Sequence, residues 1–116
     1  MEKLTTKQFN IFRAECLRLQ KEWGLLGWRL YFEFKPLKNR YAEADIDLEG
    51  RLATLRLSSQ LDNDVLEANN ILHHAKHEMI HVLMGRLADL AHTRFLDKKE
   101  MNEAEEELVR ILEKLL

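Results

Sequence analysis

The stretch AEADIDLEGRLATLRL, residues 42–57, contains two runs in which apolar and polar residues alternate, separated by Glu49-Gly50. Alternation with a period of two is typical of strands that bury one face. Folded into a hairpin, these runs bring Ala42 opposite Leu57 on the apolar side. On the polar side Glu43 falls opposite Arg56, a pairing of opposite charges. The stretch therefore predicts an antiparallel hairpin with a fixed register.

Upstream of the hairpin, residues 28–34 alternate in the same way and end before Pro36, which predicts a third strand. An amphipathic helix is predicted before it, with a Thr5–Gln8 capping box at its start and Gly24 at its end. Its apolar stripe consists of Phe9, Phe12, Cys16, Leu19 and Trp23. We interpret this stripe, the cysteine included, as one wall of the core.

Downstream of the hairpin, a capping box at Asp64 and a glycine at position 85 predict a long helix over 64–84. A shorter helical piece over about 86–93 follows. A last helix begins near Asp97 and runs to the final residue. The predicted fold class is α+β: an N-terminal helix, a three-stranded antiparallel sheet and C-terminal helices, in a single domain spanning residues 1–116.

Composition narrows the functional classes. The chain has 116 residues, a formal net charge of −2 and one cysteine, and 46% of its residues are hydrophobic. This balance is typical of one globular domain and argues against disorder and against a basic nucleic-acid-binding surface. Apolar runs stay well short of the ~20 residues that span a bilayer, and the N-terminus does not resemble a signal peptide. We expect a cytoplasmic protein without nucleic-acid or membrane partners.

The long helix carries the clearest chemical motif, His77-Glu78-Met79-Ile80-His81, an HExxH. Residues four apart share a helix face, so both imidazoles can bind one Zn²⁺. Glu78 lies beside that face, where its carboxylate can act as the general base on water. A pair of ordinary helix histidines is the alternative interpretation. We expect His77 and His81 to be zinc ligands and Glu78 to be catalytic.

A catalytic zinc needs a third protein ligand as well as an open position. On a helical wheel of the last helix, Glu105 falls on the apolar stripe with Met101, Ala104, Leu108, Leu112 and Leu115. An unpaired carboxylate there would be costly, and a metal would satisfy it. Glu105 is therefore the predicted third ligand. Glu103 and Glu106, which project more than 90° away, remain as alternatives.

The HEMIH motif, the strands before it and the acidic helix after it together resemble the minimal gluzincin metallopeptidases, or minigluzincins. They also resemble small HExxH proteins often encoded by phages and prophages. The resemblance implies a zincin-like fold and a zinc-dependent peptidase in which a glutamate from a later helix completes the site. Asn102-Glu103 with Glu107 matches the family's Asn-Glu-x-x-x-Asp pattern loosely and favours Glu103. No tyrosine follows the motif, so either His92 or Arg94 stabilises the oxyanion, or no side chain does.

Two other functional classes stay open. One is a zinc-binding interaction domain without catalysis, and the other is a SprT-like protease with His92 as third ligand. The acidic net charge weighs against the second, since DNA contact favours clustered Lys and Arg. For the peptidase we expect a polypeptide substrate that pairs with an open edge of the small sheet.

Overall fold

A computed structural model describes residues 5–60, 68–91 and 97–115 of the chain. The described residues form three helices and three strands, which confirms the α+β class. In chain order the elements are α1 (Thr6–Glu22), β1 (Arg29–Lys35), β2 (Ala42–Asp47), β3 (Leu52–Ser58), α2 (Ala68–Ala91) and α3 (Lys98–Leu115). Among the described helices, none combines the length and the hydropathy of a membrane-spanning segment.

The predicted hairpin is confirmed, register included. Strands β2 and β3 are antiparallel, with Ala42 opposite Leu57 and Glu43 opposite Arg56. In the connecting loop the Gly50 N–H donates to the Asp47 carboxylate over 3.2 Å. This register places Ala42, Ala44 and Ile46 of β2 on the same face of the sheet as Ala53, Leu55 and Leu57 of β3, whereas Leu52 lies on the opposite face.

The prediction of a purely antiparallel sheet is wrong, because β1 runs parallel to β3. The strand order is β1-β3-β2, so β3 lies in the centre. The connection from β1 to β2 is fixed to the end of β3 by Ser58, which is buried. Its hydroxyl oxygen accepts the Leu37 N–H over 3.3 Å, and its own N–H donates to the Tyr41 carbonyl over 2.8 Å. The chain therefore crosses the end of β3 and enters the sheet at the far edge.

Helices α1 and α2 cover the apolar face of this sheet. Phe12 and Cys16 of α1, Leu55 of β3 and Met79 of α2 all belong to the same core and have no exposed surface. The opposite face is polar. There the Arg56 guanidinium donates to Glu33 over 2.7 Å, and it also contacts Glu43.

Both predicted helix ends of α1 are confirmed. The Thr5 N–H donates to the Gln8 side chain over 3.0 Å, as a capping box requires. After the helix, Gly24 adopts a positive φ of 72°, and the Leu25 N–H donates to the Gln20 carbonyl over 2.8 Å. This left-handed glycine reverses the chain toward β1.

The predicted end of the long helix at Gly85 is wrong: α2 continues through it to Ala91. The separate helical piece predicted over 86–93 is thus, as far as Ala91, part of α2. Gly85 is buried, and a Cβ there would lie 3.3 Å from Ile46 Cγ2 and 3.7 Å from Trp28 Cη2. The glycine allows α2 to approach β2 closely. The predicted start at Asp64 lies outside the described residues.

We expect a Gly85→Val substitution to destabilise the fold by about 1–3 kcal/mol, because the new methyl groups would push α2 away from β2. Thermal or urea unfolding followed by circular dichroism measures the effect. Ala88→Val is the matched control, since it adds a β-branched side chain to the same helix at an exposed position. Equal stability of the two variants would contradict a close helix–strand approach at Gly85.

Candidate metal site

A groove runs between α2 and β2, and the HExxH residues lie along it. Two adjoining cavities of about 280 and 360 Å³ make up this α2–β2 groove. His77, Glu78, Arg40 and Ala42 line both of them. The first cavity is completed by Tyr41, His73 and His74, and the second by Glu43, Ala44, Ile46 and His81. The three motif residues that sequence analysis singled out are thus together in one concave site.

His77 and His81 stand side by side on the exposed rim of α2. Their ring centroids are 5.1 Å apart and their planes are inclined by 74°. With zinc–nitrogen bonds of about 2.0–2.1 Å and a tetrahedral angle, two imidazole centroids lie roughly 5 Å apart. The spacing of the pair therefore fits two ligands of one tetrahedral zinc.

Glu78 differs from its two histidine neighbours because it faces the sheet. Only 6% of its surface is exposed. This burial raises the pKa of the Glu78 carboxyl, and the nearby His77 and His81 offset part of the effect. Such a carboxylate binds a proton more readily than an exposed glutamate, as a general base near neutral pH requires.

The residues that form the other wall of the groove were not predicted from the sequence. Arg40 and Tyr41 precede the edge strand β2, and neither belongs to a recognisable motif. The Tyr41 ring lies 5.2 Å from the His74 ring, one helical turn before Glu78, and Arg40 donates to Glu43 over 3.3 Å. The crossing connection between β1 and β2, which the sequence pattern did not predict, brings both side chains to the groove.

Helix α3 packs on a different face of α2. A separate apolar cavity lies where Ile80 and Met84 of α2 meet Leu108 and Leu112 of α3. The prediction that Glu105 lies on the buried stripe of α3 is wrong. Glu105 is exposed, whereas its neighbour Ala104 is 2% exposed.

The other acidic residues of α3 either pair with an arginine or face solvent. Glu103 and Glu107 accept hydrogen bonds from Arg86 over 3.2 and 3.3 Å, and Glu106 is exposed. Within residues 5–60, 68–91 and 97–115, no group of three or more His, Cys, Asp or Glu side chains could hold a metal. His92 and Arg94 lie outside the described residues. The structure therefore brings together His77, Glu78 and His81, without a glutamate of α3.

Comparison of the chain with protein-family models, with curated proteins and with solved structures found no match in any of the three.

Proposed function

We propose that this protein is a zinc-dependent peptidase of the HExxH class. The observation that carries the proposal is the arrangement of the HExxH residues. Two imidazoles at zinc-binding spacing flank a buried carboxylate in a groove beside an edge strand. The reaction we infer is hydrolysis of internal peptide bonds, with a polypeptide as substrate and Zn²⁺ as cofactor.

His77, Glu78 and His81 have separate tasks in this proposal. His77 and His81 would hold the zinc through one ring nitrogen each. The Lewis acidity that zinc supplies when bound activates water and polarises the peptide carbonyl. Glu78 accepts the proton of the attacking water and delivers it to the leaving amine. Its burial favours this role, because a carboxyl group with a raised pKa holds the proton between the two transfers.

The edge strand β2 supports a polypeptide substrate. In the described part of the chain β2 pairs with β3 alone, so backbone groups along its outer edge have no strand partner. An extended peptide added at this edge would lie along the groove and pass Glu78. Backbone pairing of this kind binds many sequences, which suits a peptidase.

Hydrolysis of unfolded casein by the purified, zinc-loaded chain tests the proposal. We expect fragments in gel electrophoresis and mass spectrometry, loss of cleavage after removal of zinc by a chelator, and recovery when zinc is returned. A protein that retains zinc but leaves casein intact would instead favour the zinc-binding interaction domain.

The third ligand is tested separately, because the described residues do not supply it. Substituting a true ligand lowers zinc affinity far more than tenfold, whereas substituting an exposed glutamate elsewhere leaves zinc affinity almost unchanged. The sequence prediction therefore requires zinc affinity, measured by competition with a chelating dye, to fall sharply in Glu105→Gln alone. Unchanged affinity in Glu105→Gln, with Glu103→Gln and Glu106→Gln as matched controls, would show that Glu105 is not a ligand.

A further inference from the structure

Arg40 occupies a position in the α2–β2 groove that the proposed chemistry does not explain. It lines both cavities together with His77 and Glu78, so its side chain lies where the two cavities adjoin. No other arginine or lysine lines the groove in the described residues. It also immediately precedes Tyr41 and the edge strand along which a peptide would bind. Arg40 is thus the permanently charged, cationic side chain that a bound peptide would meet.

The guanidinium of Arg40 retains donors for a ligand. Arginine has five N–H groups, and in the described part of the chain the hydrogen-bond partner of Arg40 is Glu43, over 3.3 Å. The side chain of Arg40 is 64% exposed, so this ion pair is weak. Glu43 also contacts Arg56 over 3.3 Å. A ligand that draws Arg40 away therefore leaves Glu43 with a cationic partner.

The surroundings of Arg40 favour a ligand with a planar anionic group. The wall of the first cavity includes the Tyr41 and His74 rings, which are in contact with their planes inclined by 34°, and His73 lies beside His74. These side chains can add hydrogen bonds from a hydroxyl and from ring nitrogens. A guanidinium matches a carboxylate geometrically, because two parallel N–H groups can donate to its two oxygens. Among the groups of a polypeptide, only acidic side chains and the chain terminus provide one.

We propose that Arg40 binds a carboxylate of the substrate in the first cavity, so that the protein selects peptides with an acidic residue or a C-terminus near the cleaved bond. The inference rests on the proposed peptidase function. It adds a specificity-determining residue outside the HExxH motif. The terminal and side-chain carboxylates share the same chemistry, and the experiment separates them.

Binding of small probes tests the inference without requiring catalysis. The probes are N-acetylglutamate N-methylamide with an acidic side chain, N-acetylglutamine with a terminal carboxylate, and N-acetylglutamine N-methylamide with neither. Chemical shifts of the Tyr41 and His74 rings report binding during titration. We expect at least one carboxylate probe to bind about tenfold more tightly than the neutral probe, as charge-assisted hydrogen bonds allow.

In Arg40→Gln this difference should disappear, and in the control Lys38→Gln it should persist. Lys38 carries a positive charge on the same connection and is exposed outside the groove. Equal binding of all three probes to the wild type, or an undiminished difference in Arg40→Gln, would overturn the inference.

Cleavage of paired peptides, one with Glu and one with Gln near the scissile bond, provides the second test. We expect kcat/KM for the Glu peptide, divided by kcat/KM for the Gln peptide, to fall about tenfold in Arg40→Gln. In Arg40→Glu we expect the preference to shift toward a third peptide with Lys at the same position. If peptides are cleaved but the ratio is unchanged, the inference fails and the peptidase proposal stands. If zinc-loaded protein cleaves no peptide, the peptidase proposal fails, and the probe titration alone decides whether Arg40 binds carboxylates.

Discussion

Replacing Glu78 by glutamine is expected to abolish peptide hydrolysis while zinc remains bound. Glutamine has almost the same size, so it fits the buried position between α2 and the sheet. It cannot accept the proton of the attacking water, and the loss of a general base lowers kcat by about 10²–10⁴-fold. His77 and His81 are unchanged and keep their zinc. Zinc content by elemental analysis, together with the rate of casein cleavage, measures both quantities on one sample.

The matched control is Glu49→Gln, the same chemical change at an exposed residue between β2 and β3. It should cleave casein at the wild-type rate. Wild-type activity in Glu78→Gln would show that Glu78 is not the base, and the HExxH assignment of roles would then be wrong.

Replacing His81 by alanine is expected to lower zinc affinity by more than about 100-fold. Mutations of residues that merely support a metal ligand already cost about 10–100-fold, and His81 is proposed to be a ligand itself. Its side chain is exposed, so the substitution should leave the fold intact. Competition with a chelating dye measures the affinity, and circular dichroism verifies the fold.

His73→Ala is the matched control, because His73 is also exposed on α2 and also lies four residues from His77. The spacing alone would thus permit a His73–His77 pair. The structure instead pairs the His77 and His81 rings at 5.1 Å, and the ring contact of His73 is with His74 at 6.1 Å. A larger loss of zinc in His73→Ala than in His81→Ala would mean that zinc binds on the preceding turn.

The difference between the two strand pairings shows how far local patterns predict a sheet. The pairing of β2 with β3 was predictable because a short turn and complementary charges at Glu43 and Arg56 fix both direction and register. The direction of the pairing between β1 and β3 was not predictable. Alternation in residues 28–34 buries the same side chains whether the neighbouring strand is parallel or antiparallel. The direction depends on the crossing connection and its contacts with Ser58, which no local pattern encodes.

Two other sequence patterns, the glycine that predicted a helix end and the apolar stripe of α3, each allowed more than one structure. Gly85 satisfies the pattern of a helix end, yet the structure uses its missing Cβ for contact with Ile46. On α3 the buried face centres on Ala104, with Leu108 and Ile111 partly covered, while Leu112 is 45% exposed. Including Ile111 rotates the predicted face away from Glu105. An amphipathic helix with apolar residues on more than a third of its circumference does not specify its orientation alone.

The residues of the candidate site also divide into those that the sequence predicts and those that it does not. His77, Glu78 and His81 were predictable because their geometry follows from a single helix. Arg40 and Tyr41 face them across the groove only because β2 occupies the edge of the sheet beside α2. Residues contributed by a different element carry no spacing signal in the sequence.

X-ray diffraction from crystals of the zinc-loaded protein, recorded on both sides of the zinc absorption edge, tests the central claim most directly. We expect one anomalous peak in the α2–β2 groove, about 2.0–2.1 Å from a ring nitrogen of His77 and of His81, with the Glu78 carboxylate beside it. A groove without such a peak in crystals that contain zinc elsewhere would contradict it.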